Sequence, residues 1–472
     1  MLLTYCFEIN VNEKMSIILG HLCYAASKLF NIGNYERMEF KKLGFDKMPN
    51  WYDQKKRLKD SFWYKSLPSQ TSQDVLARLE ESWKSYLKLH CNWQKRKEKG
   101  LLKDNDGEPN APHYKKDGYH MSVKYLNGQF KIIGKRVRFS IPKKLKEHLL
   151  NKYNMDDQYF YVKIKREFGA IKQIGFSYIN KDCYKVFIIY EKLSANSRKD
   201  NGHYIGIDLG TKNLLTIYDN KGYSFIVSGQ SLLNTNYYFS KKIAYYQSKF
   251  DICYLKQKKG ETTRRIKKLY QTKKRRIDLI LHRSTKLIVD YCIKNDISKV
   301  IIGDLSGLLN KTKDFDSNKE KHRFNQNIRV ACFNRIYRLL SYKLQLNGIE
   351  FVKVNEAYSS QCLPTSKCVS KNCANKNYRF KRGLIKCYNH IYNADSVGAF
   401  NILRIYKQST NKGDFVSLKG LSNPRREYIP VTNQFTNEDY INWNGKAGNV
   451  GISGRNYPNG YELINKINQS IT

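Results

Sequence analysis

The sequence predicts an α+β protein of several domains, in which an N-terminal β-barrel is interrupted by a helical region and followed by an α/β domain. The chain has 472 residues, more than one ordinary hydrophobic core accommodates. Several short strand-like segments separated by turn residues, between positions 129 and 190, are typical of a small barrel. From Tyr204 onward strands alternate with helices, which is typical of an α/β domain built around a mixed sheet.

The charge of the chain indicates a polyanionic partner. There are 85 Lys and Arg against 41 Asp and Glu, giving a net charge of +44 that is spread along the chain. Such a field attracts nucleic acid, and the 36 Tyr and 22 Phe interleaved with the basic residues suit base stacking. Solvated charge and a biased genome composition are the alternative explanations. No long apolar run or amphipathic anchor stands out, so a membrane partner is not expected.

The cysteines and the N-terminus indicate a reducing compartment. The 11 cysteines are scattered, and the first residues lack the charged segment and apolar core of a secretory signal. We therefore expect a cytoplasmic protein without disulfides.

The first half of the chain predicts a strand, a helical block and a series of short strands. Leu3 to Ile9 places apolar residues on one face of a strand. Thr71 and Asp74, just after Pro68, form a capping-box pattern. The helix that follows carries an apolar stripe interpreted as core: Leu76, Leu79, Trp83 and Tyr86. The short strands are 129–133, 136–141, 159–165, 174–179 and 184–190.

Two aspartates mark a candidate metal site. Tyr204 to Leu214 is an apolar strand that ends on Asp208 and then turns through glycine, which suits a divalent-metal phosphodiester site because metal and phosphate must both approach closely. An ordinary hairpin with a turn aspartate is the alternative. Asn393 to Leu403 begins a helix with Asp395 in its first turn, where an aspartate is normally a cap but also a candidate second metal ligand.

A basic run lies between these two motifs. From Lys256 to Arg276 the only acidic residue is Glu261, on a stretch otherwise typical of a helix. The sign and density of charge favour a track along a phosphate backbone over a solvated helix face. The candidate nucleic-acid-binding residues are Lys256, Lys258, Lys259, Arg264, Arg265, Lys267, Lys268, Lys273, Lys274, Arg275 and Arg276. Beyond it, 299–305 and 350–354 read as strands and 327–347 as a helix.

The order of these segments resembles that of the TnpB (OrfB) proteins of transposons, which are related to the type V CRISPR effector nucleases. Residues 205–213 look like the first RuvC motif and residues 393–403 like the third. Residues 67–86 are similar to the N-terminal helical region of that family. The resemblance covers residues 1 to about 407, and the order and spacing of the motifs make it specific.

This resemblance implies a RuvC-like, RNase H-type domain that cuts DNA through two metal ions held by three carboxylates. It implies a transposon-derived guide RNA and a double-stranded DNA target recognised by base pairing beside a short adjacent motif. Asp208 and Asp395 carry over as the first and third carboxylates, with Mg²⁺ as the metal if the site is active.

The second carboxylate does not carry over. Gly303 stands where the family has glutamate, and a site that loses one of three anionic ligands should bind its metal pair poorly. Asp304 is the possible substitute, but successive strand side chains point to opposite faces, so this requires a bulge. We expect the Asp304 carboxylate to lie on the far side of its strand from Asp208 and Asp395. Glu356, at the end of another strand, is the less favoured substitute.

The region between the second and third motifs resembles a degenerate zinc finger. The family often carries two Cys-x-x-Cys pairs there, whereas this chain has no such pair. The candidate zinc ligands are Cys362, Cys368, Cys373, Cys387 and His390. A metal-free loop is favoured over a zinc site.

The predicted organisation has four parts. A wedge-like β-barrel comprises 1–12 and 110–198, and a helical recognition lobe, 13–109, interrupts it. A RuvC-like domain spans 199–407 with the zinc-finger-like insert at 358–392. The tail, 408–472, is rich in Asn, Gly, Ser and Thr and predicts a loosely ordered polar extension.

The leading hypothesis from the sequence is an RNA-guided DNA-binding protein in which cleavage is lost or strongly impaired, with a possible role as a transcriptional repressor. The alternative is an active RNA-guided DNA endonuclease in which Asp304 completes the site. A basic RNA-binding protein without a guide leaves the order of the RuvC motifs unexplained. The expected location is the cytoplasm of a prokaryote, in association with the nucleoid.

Overall fold

The computed structural model describes residues 1–102, 106–253, 262–305, 332–381, 383–410 and 417–430. The chain divides into a first unit, Met1–Leu193, and a second unit, Ser194–Thr472. Each unit is described by itself below.

The first unit combines helices with two antiparallel sheets. Its elements are β1 (Leu2–Asn10), α1 (Glu13–Met38), α2 (Trp51–Leu58), α3 (Phe62–Lys65), α4 (Ser69–Glu98), β2 (Val123–Leu126), β3 (Phe130–Ile133), β4 (Arg136–Ser140), α5 (Lys143–Tyr153), β5 (Tyr159–Lys163), β6 (Ile171–Asn180) and β7 (Cys183–Glu191). One sheet has the order β1-β7-β6-β2 and the other the order β3-β4-β5.

The predicted N-terminal barrel is not formed, because no sheet in the described residues closes on itself. The strands β3, β4 and β5 pair only with one another. Aromatic side chains join the two sheets instead of hydrogen bonds: the ring of Phe139 lies 5.1 Å from that of Phe176 and 4.9 Å from that of Tyr125. Packing between rings therefore replaces the strand pairing that a barrel requires.

Helices and sheets of the first unit share one hydrophobic core. Within the described residues α1 is the one helix long and apolar enough to cross a membrane. Its Leu19, Leu22 and Leu29 are fully buried in that core. The predicted stripe of α4 is confirmed as core, since Leu76 and Leu79 are also fully buried.

The predicted capping box at the start of α4 is wrong. The helix begins earlier, with Pro68 as the N-cap and no side-chain cap. Proline suits the start of a helix because its φ is fixed near the helical value and it has no N–H group that would need a partner there. Thr71 instead donates its hydroxyl to the carbonyl of Lys124 at 2.5 Å. Asp74 forms ion pairs with Arg78 at 2.9 Å and with Lys124 at 3.0 Å.

The second unit is a mixed sheet with helices on both faces, as the alternation of strands and helices predicts. Its elements are β8 (Tyr204–Leu209), β9 (Asn213–Asp219), β10 (Tyr223–Ser228), α6 (Gln230–Cys253), α7 (Arg264–Lys294), β11 (Lys299–Gly303), α8 (Phe333–Leu346), β12 (Glu350–Val354), β13 (Leu384–Cys387), β14 (His390–Asn393), α9 (Ala394–Ser409) and β15 (Arg425–Glu427). The main sheet has the order β12-β11-β8-β9-β10-β15. Strands β11 and β12 run parallel to β8, and β9 runs antiparallel to it.

Alternation along β8 directs its side chains to two different layers. Ile205 and Ile207 belong to the core formed with α7 and α8, whereas Tyr204 belongs to the core formed with α9. Gly206 also faces α9, since a methyl group there would overlap the carbonyl oxygen of Ala399. Asp208 follows on the same face. The sheet therefore directs this carboxylate toward α9.

Candidate active site

Asp395 lies in the first turn of α9, but it is not the residue that caps the helix. Asn393 is the N-cap, and its side-chain oxygen accepts hydrogen bonds from the backbone N–H groups of Asp395 and Ser396, both at 3.1 Å. Asn213, at the start of β9, donates its side-chain N–H to Oδ2 of Asp395 at 2.5 Å. Arg426 of β15 donates to Oδ1 of Asn213 at 2.9 Å. Two consecutive hydrogen bonds, from Arg426 to Asn213 and from Asn213 to Asp395, thus hold the Asp395 carboxylate.

Asp208 lies against the same helix and close to other carboxylates. A methyl group on Gly398 would come within 2.9 Å of Oδ2 of Asp208. Burial raises the pKa of Asp208 well above its usual range, and the negative charges of Asp395 and Glu356 raise that pKa further. Arg379 offsets part of this effect. The two aspartates singled out from the sequence are therefore brought together, and Glu356 joins them.

The space beside Gly303 is taken by the side chain of Glu356. A methyl group on Gly303 would overlap Oε2 of Glu356 and would lie 3.0 Å from Cδ1 of Ile402 in α9. Position 303 therefore faces α9, as Asp208 does. Val354, opposite Gly303 in the parallel pair of β11 and β12, packs against the core on the α9 side. Glu356 follows Val354 by two residues and continues on that face.

Asp304 continues the regular ladder beyond Gly303. Its backbone N–H donates to the carbonyl of Val354 at 2.8 Å, and the pairing of β11 with β12 has no register shift. Regular pairing supports the prediction that the Asp304 side chain points away from the face of Gly303. The hydroxyl of Tyr337, in α8, donates to the carbonyl of Gly303 at 2.6 Å and accepts from the N–H of Leu305 at 2.8 Å. This contact fixes the end of β11.

A turn anchored to α9 holds Glu356 in place. The N–H of Ser359 donates to the carbonyl of Glu356 at 3.1 Å. The side-chain N–H group of Asn401, fully buried in α9, donates to the carbonyls of Ser359 and Cys362 at 2.8 and 2.9 Å. The helix that carries Asp395 therefore also holds the loop that carries Glu356.

The donor set suits a hard divalent cation, because Mg²⁺ prefers carboxylate oxygens. Asp208, Asp395 and Glu356 come from three different elements and meet at one end of α9. In the described part of the chain, no group of three or more His, Cys, Asp or Glu is already arranged around a common metal position. In the described residues, the charges of Asp395 and Glu356 therefore affect Asp208, but the three carboxylates are not yet placed around one metal position.

The candidate zinc ligands fall into separate contacts. The sulfur atoms of Cys368 and Cys373 lie 3.4 Å apart, and the thiol of Cys362 donates to the carbonyl of Ser370 at 3.5 Å. The sulfur of Cys387 lies 3.2 Å from the hydroxyl of Thr365. His390 pairs with Cys387 across the hairpin of β13 and β14. Among the described residues these side chains form no metal-binding group. The preference for a metal-free loop over a zinc site stays a prediction.

The described part of the basic run lies on α7. Arg264, Arg265, Lys267, Lys268 and Lys274 are exposed, and Lys273, Arg275 and Arg276 are partly buried. Lys256, Lys258 and Lys259 lie outside the described residues.

The sequence reasoning missed the contribution of α6 to this basic surface. A small core of Phe239, Ile243 and Ile266 joins α6 to α7. Cations lie over exposed tyrosine rings on α6: Lys242 is 4.6 Å from the ring of Tyr238, and Lys249 is 4.8 Å from the ring of Tyr245. The i, i+4 spacing of these Tyr and Lys residues was the available signal. We call the exposed cations of α7 and these α6 pairs the α6–α7 surface.

Asn213, Arg426 and Asn401 were also missed. Their roles depend on contacts between residues distant in sequence, and no local pattern marks them.

Two family models match the chain. The model OrfB_IS605, described as a probable transposase, matches residues 187–309, and the model of the Cas12f1-like TNB domain matches residues 333–402. The chain is 24% identical over 239 residues to the TnpB-like protein MJ0751 of Methanocaldococcus jannaschii, covering 48% of this chain and 81% of that protein. It is 23% identical over 379 residues to the putative RNA-guided DNA endonuclease InsQ of Escherichia coli K12, covering 77% of this chain and 81% of that protein.

Two solved structures align with most of the chain. A Cas12f1–sgRNA–target DNA complex has 17% identity and a TM-score of 0.48, covering 82% of each chain. The mini RNA-guided endonuclease CRISPR-Cas phi3 has 11% identity and a TM-score of 0.41, covering 85% of this chain and 92% of that one.

Proposed function

Because this chain belongs to the TnpB (OrfB) family, which is related to the type V effectors, we propose that it is an RNA-guided DNA endonuclease with a metal-dependent site in its second unit. Its proposed partners are a transposon-derived guide RNA and a double-stranded DNA target with a short adjacent motif. Base pairing by the guide would carry the sequence specificity, and the protein would bind the backbones.

One observation carries the proposal. Asp208 packs against Gly398, about one turn along α9 from Asp395, and Oε2 of Glu356 fills the space beside Gly303 on the same face of the sheet. The charges of Asp395 and Glu356 raise the pKa of the Asp208 carboxyl, in agreement with this crowding. Partly buried carboxylates that crowd one another are unfavourable unless they are paired or bind a cation. A cluster of carboxylates facing one helix end therefore suits binding of divalent metal.

Each part of the site has a distinct task. Metal ions bound there would activate a water molecule and stabilise the leaving oxygen of a phosphodiester. Asp208 and Asp395 would hold them, and Asn213 orients the Asp395 carboxylate through the 2.5 Å hydrogen bond. The α6–α7 surface would bind phosphates through its cations and stack bases on its tyrosines.

Purification of the protein with the RNA from its own locus tests this proposal. We expect a discrete RNA to co-purify, and DNA matched to that RNA to be cut in Mg²⁺ but not in EDTA. Asp208→Asn/Asp395→Asn should bind the same DNA without cutting it. The absence of a discrete RNA would contradict guided recognition, and cutting by the double variant would contradict the site.

A second candidate is guided DNA binding without cleavage, acting as transcriptional repression. Gly303 favours it, because glycine supplies no ligand atom at a position where the family has glutamate. In the same experiment, guided binding of DNA with no cutting in Mg²⁺ or Mn²⁺ would favour this candidate over the endonuclease.

A further inference from the structure

We propose that Glu356 supplies the third metal-binding carboxylate, in place of a side chain at position 303, and that Gly303 is required because it makes room for Glu356. This inference deepens the proposed function and rests on it, because it names the ligand that completes the endonuclease site.

Position 303 faces α9. A methyl group there would point at α9 and come within 3.0 Å of Cδ1 of Ile402, on the face of the sheet that also carries Asp208. Strands β8 and β11 are hydrogen-bonded neighbours, with Ile207 opposite Ile302. A carboxylate reaching this space is therefore beside Asp208.

Glu356 reaches the same space from the neighbouring strand's end. It lies two residues beyond the end of β12, the parallel neighbour of β11, and such strands lie about 4.8 Å apart. Val354 is opposite Gly303, and Glu356 is the next residue on that face. Oε2 of Glu356 occupies the position that a side chain at 303 would enter. A glutamate side chain spans the gap between the strands and supplies the carboxylate that glycine lacks.

The regular pairing of β11 with β12 distinguishes Asp304 from Glu356. The ladder remains regular through Gly303 and on to the N–H of Asp304, which donates to Val354 at 2.8 Å. Strand side chains alternate between faces, and a bulge would be needed to turn Asp304 toward Asp208. Oε2 of Glu356 instead lies beside Gly303, on the face of the sheet that carries Asp208.

It follows that Gly303 and Glu356 act as a pair. Any side chain at position 303 would displace the Glu356 carboxylate, since even a methyl group overlaps Oε2 and comes within 3.0 Å of Cβ of Glu356. The glycine is thus a condition for the site rather than the loss of one.

The test compares variants of the RNA-bound protein by two measurements, Mn²⁺ binding by titration calorimetry and cutting of guide-matched DNA in Mg²⁺. Glu356→Gln keeps the shape of the side chain and removes its charge, and Gly303→Ala displaces it. The double variant Gly303→Glu/Glu356→Ala returns the carboxylate to β11. Glu350→Gln removes the same charge from the first residue of β12, the strand that leads to Glu356, and is the matched control. Asp304→Asn tests the competing ligand.

We expect Glu356→Gln and Gly303→Ala to weaken Mn²⁺ binding and slow cutting by at least about tenfold, the lower end of what loss of even an outer partner of a metal ligand causes. The double variant should recover both properties, and Glu350→Gln and Asp304→Asn should retain both. Mn²⁺ binding by Glu356→Gln equal to that of the parent protein, or loss confined to Asp304→Asn, would overturn the inference.

The two measurements also separate this inference from the proposed function. If the parent protein binds Mn²⁺ through Glu356 but cuts no DNA, the endonuclease proposal fails and the ligand assignment stands. If the parent binds Mn²⁺ no better than Asp208→Asn/Asp395→Asn, the ligand assignment fails as well.

Discussion

At the scale of single residues, three glycines determine how closely the sheet and α9 approach around the carboxylates. A methyl group on Gly206 would overlap the carbonyl of Ala399, and one on Gly303 would overlap Oε2 of Glu356. A methyl group on Gly398 would crowd the carboxylate of Asp208. Each glycine leaves space for a neighbouring backbone or carboxylate. The absence of side chains at these positions is therefore part of the site.

Lys343 of α8 is a partly buried amine that should affect stability. Burial, with the nearby charge of Lys286, lowers the pKa of Lys343 to about 7. Its amine donates to the carbonyl of His282 at 2.9 Å and to the hydroxyl of Thr285 at 2.7 Å. An unfolded lysine has a pKa of about 10.4, so between about pH 7 and 10 the folded state binds fewer protons. The free energy of unfolding should therefore rise with pH across this range.

We predict that Lys343→Met removes this rise. The free energy of unfolding of the variant minus that of the parent protein should be larger at about pH 6.5 than at about pH 9.5. We expect this change to be at least about 1 kcal/mol, which is less than the free energy of one pKa unit. Denaturant unfolding followed across the pH range measures the difference. Lys294→Met, at an exposed lysine in the last turn of α7, is the control. A pH-independent difference for both variants would refute the prediction.

At the scale of secondary-structure elements, a strand from the predicted polar tail completes the edge of the main sheet. β15 pairs in parallel with β10, with Arg426 opposite Ile226. The segment is fixed further by Arg283, which donates to the carbonyl of Pro430 at 2.7 Å. From this strand Arg426 reaches Asn213 and, through it, Asp395. A segment beyond the third motif therefore supports the candidate active site.

We predict that Arg426→Met slows guided DNA cutting by about 10- to 100-fold, the range for loss of an outer partner of a metal ligand. DNA binding should be unchanged, and Arg426→Lys should recover part of the activity, because Arg426 orients Asp395 rather than contacting the substrate. Arg425→Met, at an exposed neighbour paired with Glu427, is the control. Equal losses for the two methionine variants would indicate a general effect of β15 on folding.

At the scale of the whole molecule, the main electrostatic property is the net charge of +44. Most of the attraction that this charge exerts on a polyanion does not depend on nucleotide sequence. The α6–α7 surface adds direction, because its cations lie beside exposed tyrosines on a helix pair with its own small core.

We predict that Lys267→Ala and Arg264→Ala each flatten the salt dependence of nucleic-acid binding by about 0.7 to 0.9 in the slope of log affinity against log salt, the value for one lost phosphate contact. The reduction should be similar for different sequences, since phosphate contacts do not read bases. Filter binding at several salt concentrations measures it. Lys221→Ala, at an exposed lysine in the turn between β9 and β10, should leave the slope unchanged.

Local pattern was sufficient for much of the fold. The strand predicted at 350–354 has those bounds, and β1, β4 and β7 differ from prediction by a residue or two. These elements follow from apolar periodicity and turn residues, which depend on near neighbours. The failure to close a barrel depends on which distant strands pair, and periodicity carries no information about that.

By itself, the sequence determined the basic character of the chain, the family resemblance, and Asp208 and Asp395 as candidates, because charge and short motifs are written locally. Only the tertiary structure decided that Glu356 fills the space beside Gly303 and that Arg426 supports Asp395. These residues meet because neighbouring parallel strands put positions far apart in the chain on one face of a sheet. Separation along the chain does not reveal these contacts, whereas the pairing of strands does.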